Sequence, residues 1–249
     1  MKLAVLGLGE AGGRIAADLV AGGAHVRGWD PVSRPSGVPL AADGPSAARG
    51  ADVVLSVNTA GVALDVAKGV ADALDVGALY ADLNTSSPGL KRELADTVPC
   101  LFADVALVGT VPATGLLTPA LASGAGAERF AALLGPLGMP VEVVGAEPGE
   151  AAGLKLLRSV FMKGIAAAAV ESLAAAEAAG AEERVRPDLA AVLGEPLLER
   201  LLTGSRAHAA RRVDEMTAAA AYLEELGVEP RVACAAAGWL AQLRDEPAP

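Results

Sequence analysis

Lys2-Leu3-Ala4-Val5-Leu6-Gly7-Leu8-Gly9-Glu10-Ala11-Gly12 decides the fold class of this chain. A short apolar run leads directly into G-x-G-x-x-G, and Ile15, Ala16, Leu19 and Val20 then recur at helical spacing. In that order each glycine has a purpose. Gly7 suits the tight turn after a strand, Gly9 lets backbone approach a pyrophosphate, and Gly12 permits close helix packing, while the helix N-terminus offers unpaired N–H groups to the anion. Because the chain has 29 glycines, chance matches are expected and the flanking residues carry the weight. Gly22-Gly23 stops the helix, and Ala24 to Trp29 reads as a second strand ending at Asp30, where the ribose hydroxyls of an adenosine would be met. The stretch is therefore expected to cradle a dinucleotide through Gly7, Leu8, Gly9, Glu10, Ala11, Gly12, Asp30 and the nearby Arg34. Asp30 also suits a plain turn ahead of Pro31.

The 249 residues suffice for one large domain or two modest ones. A balance of 20 basic to 30 acidic residues, net −10, argues against a nucleic-acid partner. Cys100 and Cys234 lie far apart and outside any metal-ligand pattern, which fits a reducing, cytoplasmic setting, and two histidines cannot build a histidine-rich metal site. The N-terminal apolar run is too short for a signal peptide, and the alanine-rich stretch from Gly164 to Ala179 is interrupted by Glu171 and Glu177, so no membrane span is expected.

Up to about Gly145, strand-like runs alternate with helical ones: Asp52 to Val57, Ala78 to Asp82, Leu101 to Val105 and Val141 to Val144 as strands, Val62 to Leu74 as a helix. Ser87-Pro88 reads as an N-cap with proline at the first position of a helix to Asp96. Strict alternation implies a doubly wound, parallel α/β sheet covered on both faces. Beyond Pro148 alanine, leucine, glutamate and arginine dominate, so residues 1–148 are expected to form a Rossmann domain and 149–249 an all-α domain. Glu150 to Ala179 reads as one helix of about 45 Å. Helices over Glu195 to Leu202, Ser205 to Leu226 and Pro230 to Leu243 follow, with a frayed end from Arg244 to Pro249.

Nicotinamide chemistry needs a group to manage the proton that accompanies the hydride, and a lysine in an apolar setting can do so. Lys155, in Gly149-Glu150-Ala151-Ala152-Gly153-Leu154-Lys155, has small neighbours that leave room for a cofactor edge, and Ser159 faces the same way one turn on. A solvated surface lysine is the plain alternative. Lys163, two turns further, is the rival candidate or a second substrate contact.

The glycine-rich fingerprint, Asp82-Leu83-Asn84-Thr85-Ser86-Ser87-Pro88, Asp104-Val105-Ala106-Leu107-Val108-Gly109 and a lysine early in a long helix resemble the β-hydroxyacid dehydrogenase superfamily, which includes 6-phosphogluconate dehydrogenase. Ser159 to Gly164 and His208 to Met216 resemble the C-terminal domain of a short, phosphogluconate dehydrogenase-like bacterial branch. The resemblance implies a cofactor-facing segment of Thr85, Ser86 and Ser87 ahead of Pro88, with Ser87 also reaching the substrate, and Lys155 as the general acid/base of a K-x-x-x-N motif in which Ser159 stands for the asparagine. It also implies a substrate loop over Asp104 to Thr110, with Gly109, Thr110 and Val108, the last replacing a serine that helps hold a carboxylate. Ser87 serves equally as a helix cap.

Asn58 and Thr59 follow a strand at the edge where ligands gather, and suit either cofactor contact or a turn. His208, Arg211 and Glu215 fall on one helical stripe, which reads as a solvated salt-bridge face or as a cationic wall for an anionic substrate. The expectation is an NAD(P)-dependent oxidoreductase acting on a hydroxy acid or small alcohol held between the two domains. NAD is favoured because Asp30 would repel a 2′-phosphate and Pro31 stands where NADP-using relatives carry arginine. Apolar helical surface implies a homodimer. Imine reductases resemble the same family but generally lack the lysine, and a non-catalytic nucleotide-binding protein is the alternative of another class.

Overall fold

The computed structural model describes residues 1–245; of the expected frayed end, Glu246–Pro249 lie outside the described residues, while Arg244 and Asp245 complete the last helix. Two compact units divide at Lys155, Met1–Lys155 and Leu156–Pro249. The division falls inside the long helix and not at residue 148, because the first turns of that helix are hydrogen-bonded to the sheet.

The first unit runs β1 (Lys2–Leu6), α1 (Glu10–Ala21), β2 (His25–Trp29), α2 (Gly44–Ala48), β3 (Val53–Ser56), α3 (Ala60–Val70), β4 (Leu79–Asp82), α4 (Pro88–Thr97), β5 (Leu101–Leu107), α5 (Val111–Thr114), β6 (Ala120–Ser123), α6 (Ala127–Leu134), β7 (Val141–Gly145) and the start of α7 (Glu150–Ala178). Its seven strands form one sheet in the order β2-β1-β3-β4-β5-β6-β7. Alternate side chains take opposite faces, as the pleat dictates. Leu3, Val5, Val53, Leu55, Leu79 and Ala81 join Ile15, Leu19 and Phe130 on one face. Ala4, Leu6, Val54, Tyr80 and Phe102 join Ala63, Ala67 and Leu94 on the other. Both faces are covered, as the sequence reading expected of a doubly wound sheet.

One strand departs from the all-parallel expectation: β6 pairs antiparallel with β5, and β7 follows β6 in parallel. The connection from Leu107 to Ala120 contains only the single turn of α5 and a 3-10 turn, too little helix for the crossover that parallel neighbours need. Residues level with one another across the sheet are Leu6, Ser56, Asp82, Asp104 and Ser123. The last four form a polar row without exposed surface.

The second unit holds the rest of α7, then α8 (Glu182–Leu193), α9 (Glu195–Ala207), α10 (Ala209–Glu225) and α11 (Arg231–Asp245). Leu156, Met216, Ala219, Ala233, Ala236 and Leu240 make its core. By length and composition α7 is long and apolar enough to cross a membrane, against the expectation drawn from Glu171 and Glu177. Two of its charged groups nevertheless have partners within the second unit: Glu171 accepts from Trp239 Nε1 (2.7 Å), and Lys163 pairs with Glu215 (2.8 Å).

Candidate functional site

The glycine loop is built as its spacing demands. Gly7 has φ +101°, and a Cβ there would lie 2.2 Å from the Val57 carbonyl oxygen. A Cβ on Gly12 would lie 2.0 Å from the Gly7 carbonyl oxygen, so only glycine lets α1 start against the loop. Gly9 differs. Its Cβ would meet nothing within 4 Å, so the protein's own packing does not require a glycine there. Gly9 is the N-cap of α1, whose next N–H groups, on Glu10, Ala11 and Gly12, precede any intrahelical partner. Open space over a bare backbone at a positive helix end fits an anion such as a diphosphate.

Leu8 is corrected: its N–H donates to Asp30 Oδ2 (2.8 Å) and its side chain is buried in the core, so it belongs to the fold and not to the ligand surface. Asp30 Oδ1 accepts from the N–H groups of Val32 (2.8 Å) and Ser33 (2.7 Å). Burial pushes the Asp30 carboxyl up, but the N–H groups of Ser33, Leu8 and Val32 and the Arg34 charge outweigh it and hold the group below its usual range. Asp30 is thus the turn residue its place before Pro31 suggested, with one acceptor position on Oδ2 left open. Arg34 is exposed and folds its guanidinium back onto the carbonyls of Asp30 and Ser33.

At the ends of β3 and β4 a second cluster forms. The Asn58 N–H donates to Asn84 Oδ1 (2.6 Å), and Asn84 Nδ2 donates to Asp82 Oδ2 (2.5 Å) and Asn58 Oδ1 (3.0 Å). Thr59 caps α3 without a side-chain hydrogen bond and is exposed. Thr85 Oγ1 accepts from Lys155 Nζ at 2.6 Å. Beside it, Ser86 Oγ is buried with no hydrogen-bond partner among the described residues. Ser87 caps α4 by accepting from the Leu90 N–H (3.2 Å).

Lys91, wholly buried on α4, lies behind these groups: Nζ is 2.6 Å from Asp82 Oδ1 and 3.0 Å from Asp104 Oδ1, and donates to the Asp82 carbonyl (2.8 Å). Burial alone would lower its pKa, but Asp104 and Asp82 outweigh that and raise it above the usual lysine value. Asp104 Oδ2 accepts from the N–H groups of Gly149 (3.1 Å) and Ala152 (2.9 Å), and Ser123 Oγ accepts from the Ala151 N–H (3.0 Å). The start of α7 is capped by carboxylate and hydroxyl from two strands. Sequence reasoning assigned no role to Lys91; its signal is a lysine three positions before Leu94, on the inward face of α4.

In the substrate loop the Val108 N–H is engaged by the Pro119 carbonyl (2.7 Å), and Gly109 and Thr110 are exposed ahead of α5. Ser159 and Lys163 lie with Glu215 in the helical unit. Ser159 Oγ donates to Glu215 Oε1, and Lys163 Nζ is 2.8 Å from the same oxygen and 3.2 Å from Ser159 Oγ. Burial lowers the Lys163 pKa, against the pull of Glu215. His208 is corrected: it sits at the break between α9 and α10, so it does not share a helical stripe with Arg211 and Glu215. Arg211 is exposed, while Arg212 donates to Ser205 Oγ (3.1 Å).

Comparison with known proteins agrees with this architecture. Residues 176–243 match a domain of unknown function, DUF1932. An uncharacterized 28.5 kDa protein from Methanothermus fervidus is 30% identical over 189 residues, covering 74% of this chain and 73% of that one. A conserved protein of unknown function, whose structure is described as similar to 3-hydroxyacid dehydrogenases, is 30% identical with TM-score 0.75, covering 98% of this chain and 97% of the other. At 21% identity, 3-hydroxyisobutyrate dehydrogenase of Mycobacterium tuberculosis shares the fold (TM-score 0.79; 97% and 92% covered). So does an imine reductase of Myxococcus stipitatus in complex with NADP+, at 22% (TM-score 0.69; 97% and 93%). The chain belongs to the family of these conserved proteins, within the β-hydroxyacid dehydrogenase-like superfamily.

Proposed function

We propose that this protein is an NAD(P)-dependent oxidoreductase interconverting a hydroxy acid or related small alcohol with its carbonyl, with Lys155 as general acid/base. The observation that carries the reading is the 2.6 Å contact of Lys155 Nζ with Thr85 Oγ1 at the same sheet edge as the open backbone of Gly9. Ligands of open α/β sheets gather at that edge.

The residues present fit the cofactor. Gly9 and the N–H groups of Glu10, Ala11 and Gly12 would hold its diphosphate, Asp30 a ribose hydroxyl, and Asn58, Thr59 and Thr85 the groups beyond. Ser86 adds a buried hydroxyl in need of a partner. Asp30 supports NAD, since a second anion beside its carboxylate would be repelled. When bound, the nicotinamide supplies or accepts the hydride. In oxidation the Lys155 amine takes the substrate's hydroxyl proton, and in reduction it returns that proton to the carbonyl oxygen. Thr85 orients the amine by accepting one of its hydrogens.

A small anionic substrate is in keeping with Lys163 and Arg211, and Ser87, Gly109 and Thr110 are assigned to it on the family resemblance. Free Cys100 and Cys234 are in keeping with the cytoplasm. Exposed Leu157, Phe161 and Val232 support a homodimer. The test is fluorescence titration with NADH and NADPH, followed by a panel of hydroxy acids, sugar acids, aldehydes and imines against native protein and Lys155→Met. The variant is expected to bind cofactor normally and to lose turnover by about 100-fold or more. Native turnover in Lys155→Met would overturn the lysine's role, and turnover of imines alone would favour the imine reductase reading.

A further inference from the structure

The row Ser56, Asp82, Asp104 and Ser123 is unusual for the interior of a sheet, and Lys91 is the group that makes it tolerable. Two carboxylates and one ammonium share a space without solvent. Such a set contributes little to stability over well-packed apolar residues, because desolvation of the charges offsets their attraction. Geometry gives it a different use. From Lys91 one arm runs through Asp82 to Asn84, the residue before Thr85. The other runs through Asp104 to the N–H groups of Gly149 and Ala152, one turn before Lys155. The two arms meet where Lys155 Nζ donates to Thr85 Oγ1, closing a ring.

We propose that Lys91 is a positioning residue for Lys155: its buried ammonium, shared between Asp82 and Asp104, fixes the first turn of α7 against the Thr85 segment. The significance of that placement rests on the assignment of Lys155 as acid/base, but the placement itself is measurable without substrate or cofactor. Removing the ammonium leaves Asp82 and Asp104 facing each other uncompensated and Asp104 Oδ1 without its partner, so Asp104 turns away and the cap on Gly149 and Ala152 loosens.

The experiment compares native protein, Lys91→Met and Lys91→Met/Asp82→Asn, the last removing the repulsion between the two carboxylates while Asp104 Oδ1 still lacks the ammonium that held it. Amide exchange at Gly149, Ala151 and Ala152 is read by NMR, and acetylation of each lysine by acetic anhydride is read by mass spectrometry. The chain has only five lysines, Lys2, Lys68, Lys91, Lys155 and Lys163, so each is resolved. In the double variant, exchange at the start of α7 is expected to rise about tenfold and acetylation of Lys155 at least about threefold, because only that turn opens locally. Lys2, Lys68, Lys163 and the amides of α10 and α11 are expected to keep their native rates. Native rates at Lys155 and the α7 amides would overturn the proposal. So would a parallel rise across all lysines and both units, or a double variant that does not fold, either of which reduces Lys91 to general stability. Failure of the acid/base reading shows separately, as full turnover in Lys155→Met.

Discussion

Replacing Gly9 and Gly12 by alanine separates the fold's needs from the ligand's. At Gly12 the added methyl carbon would lie 2.0 Å from the Gly7 carbonyl oxygen, a backbone atom that cannot swing aside. Overpacking of this kind costs about 1–3 kcal/mol or more. For a chain of this size each kcal/mol lowers Tm by about 2–4 °C. At Gly9 the same methyl meets nothing within 4 Å, and φ is −64°, open to any residue. Reduced freedom of the unfolded chain favours alanine by about 0.4–1 kcal/mol. The poorer N-cap offsets it by a similar amount, about 0.5–1 kcal/mol. The net change in the unliganded protein is within about 1 kcal/mol, and Tm moves by less than about 4 °C. Bound dinucleotide alters the outcome, since the methyl holds the diphosphate off the N–H groups. Losing one hydrogen bond to a charged group costs about 1.5–3 kcal/mol. That weakens Kd about 10- to 150-fold. Differential scanning fluorimetry without ligand and NADH and NADPH fluorescence titrations read the two quantities on the same samples. If Gly9→Ala binds either dinucleotide as tightly as the native protein, the anion does not sit over Gly9 and the cradle argument fails.

Asp30→Asn should lower stability at neutral pH and, if the proposed choice of NAD is right, bring the Kd values for NADH and NADPH closer together. Its carboxyl sits below its ordinary 3.8 in the fold, so the stability it confers is complete above that value and fades as pH falls through the lower folded one. The Tm difference between native and variant should shrink on acidification past 3.8, and a difference independent of pH would refute the N–H contacts. Glu215→Gln leaves the Lys163 ammonium without its counter-charge and should cost about 2–3 kcal/mol in urea unfolding. Because the folded Lys163 amine binds its proton less tightly than the ordinary 10.5, stability should rise with pH in the window beneath that value. The rise should be steeper in the variant. Phe161→Glu places a charge on an exposed apolar site and should shift the proposed homodimer toward monomer in sedimentation, with little effect on Tm.

The parts legible in the sequence were those fixed by short-range sterics. Gly7 and Gly12 are demanded by carbonyls within the same loop and the adjoining strand end, Ser87 caps its own helix, and the alanine-rich α7 keeps to 150–178 because it holds no proline and its alanines and leucines outweigh Gly153 and Gly164. Long-range effects were not legible. β6 is Ala-Leu-Ala-Ser, without β-branched residues, and its direction follows from the shortness of the connection before it. α8 was hidden by Pro187, whose ring ordinarily breaks a helix interior. The expected helices Glu195 to Leu202 and Ser205 to Leu226 both form, but the break between them lies at His208 and not between Leu202 and Ser205. Asp82 and Asp104 stood in the quoted motifs, yet their common partner Lys91 comes from a helix face that only the folded sheet brings behind them.

The cap on α7 also determines which changes of chain length the site can absorb. Asp104 grips the backbone at Gly149 and Ala152, downstream of the loop that leaves β7. Residues added at 146–148 are taken up before the grip and leave the amine's bearing unchanged. Between Ala152 and Lys155, however, a single inserted residue turns everything beyond it by about 100° around the helix axis and advances it about 1.5 Å. The Lys155 amine would then swing away from Thr85. The azimuth of the Lys155 nitrogen is thus set by the count Gly153, Leu154, Lys155 and by little else in the long helix.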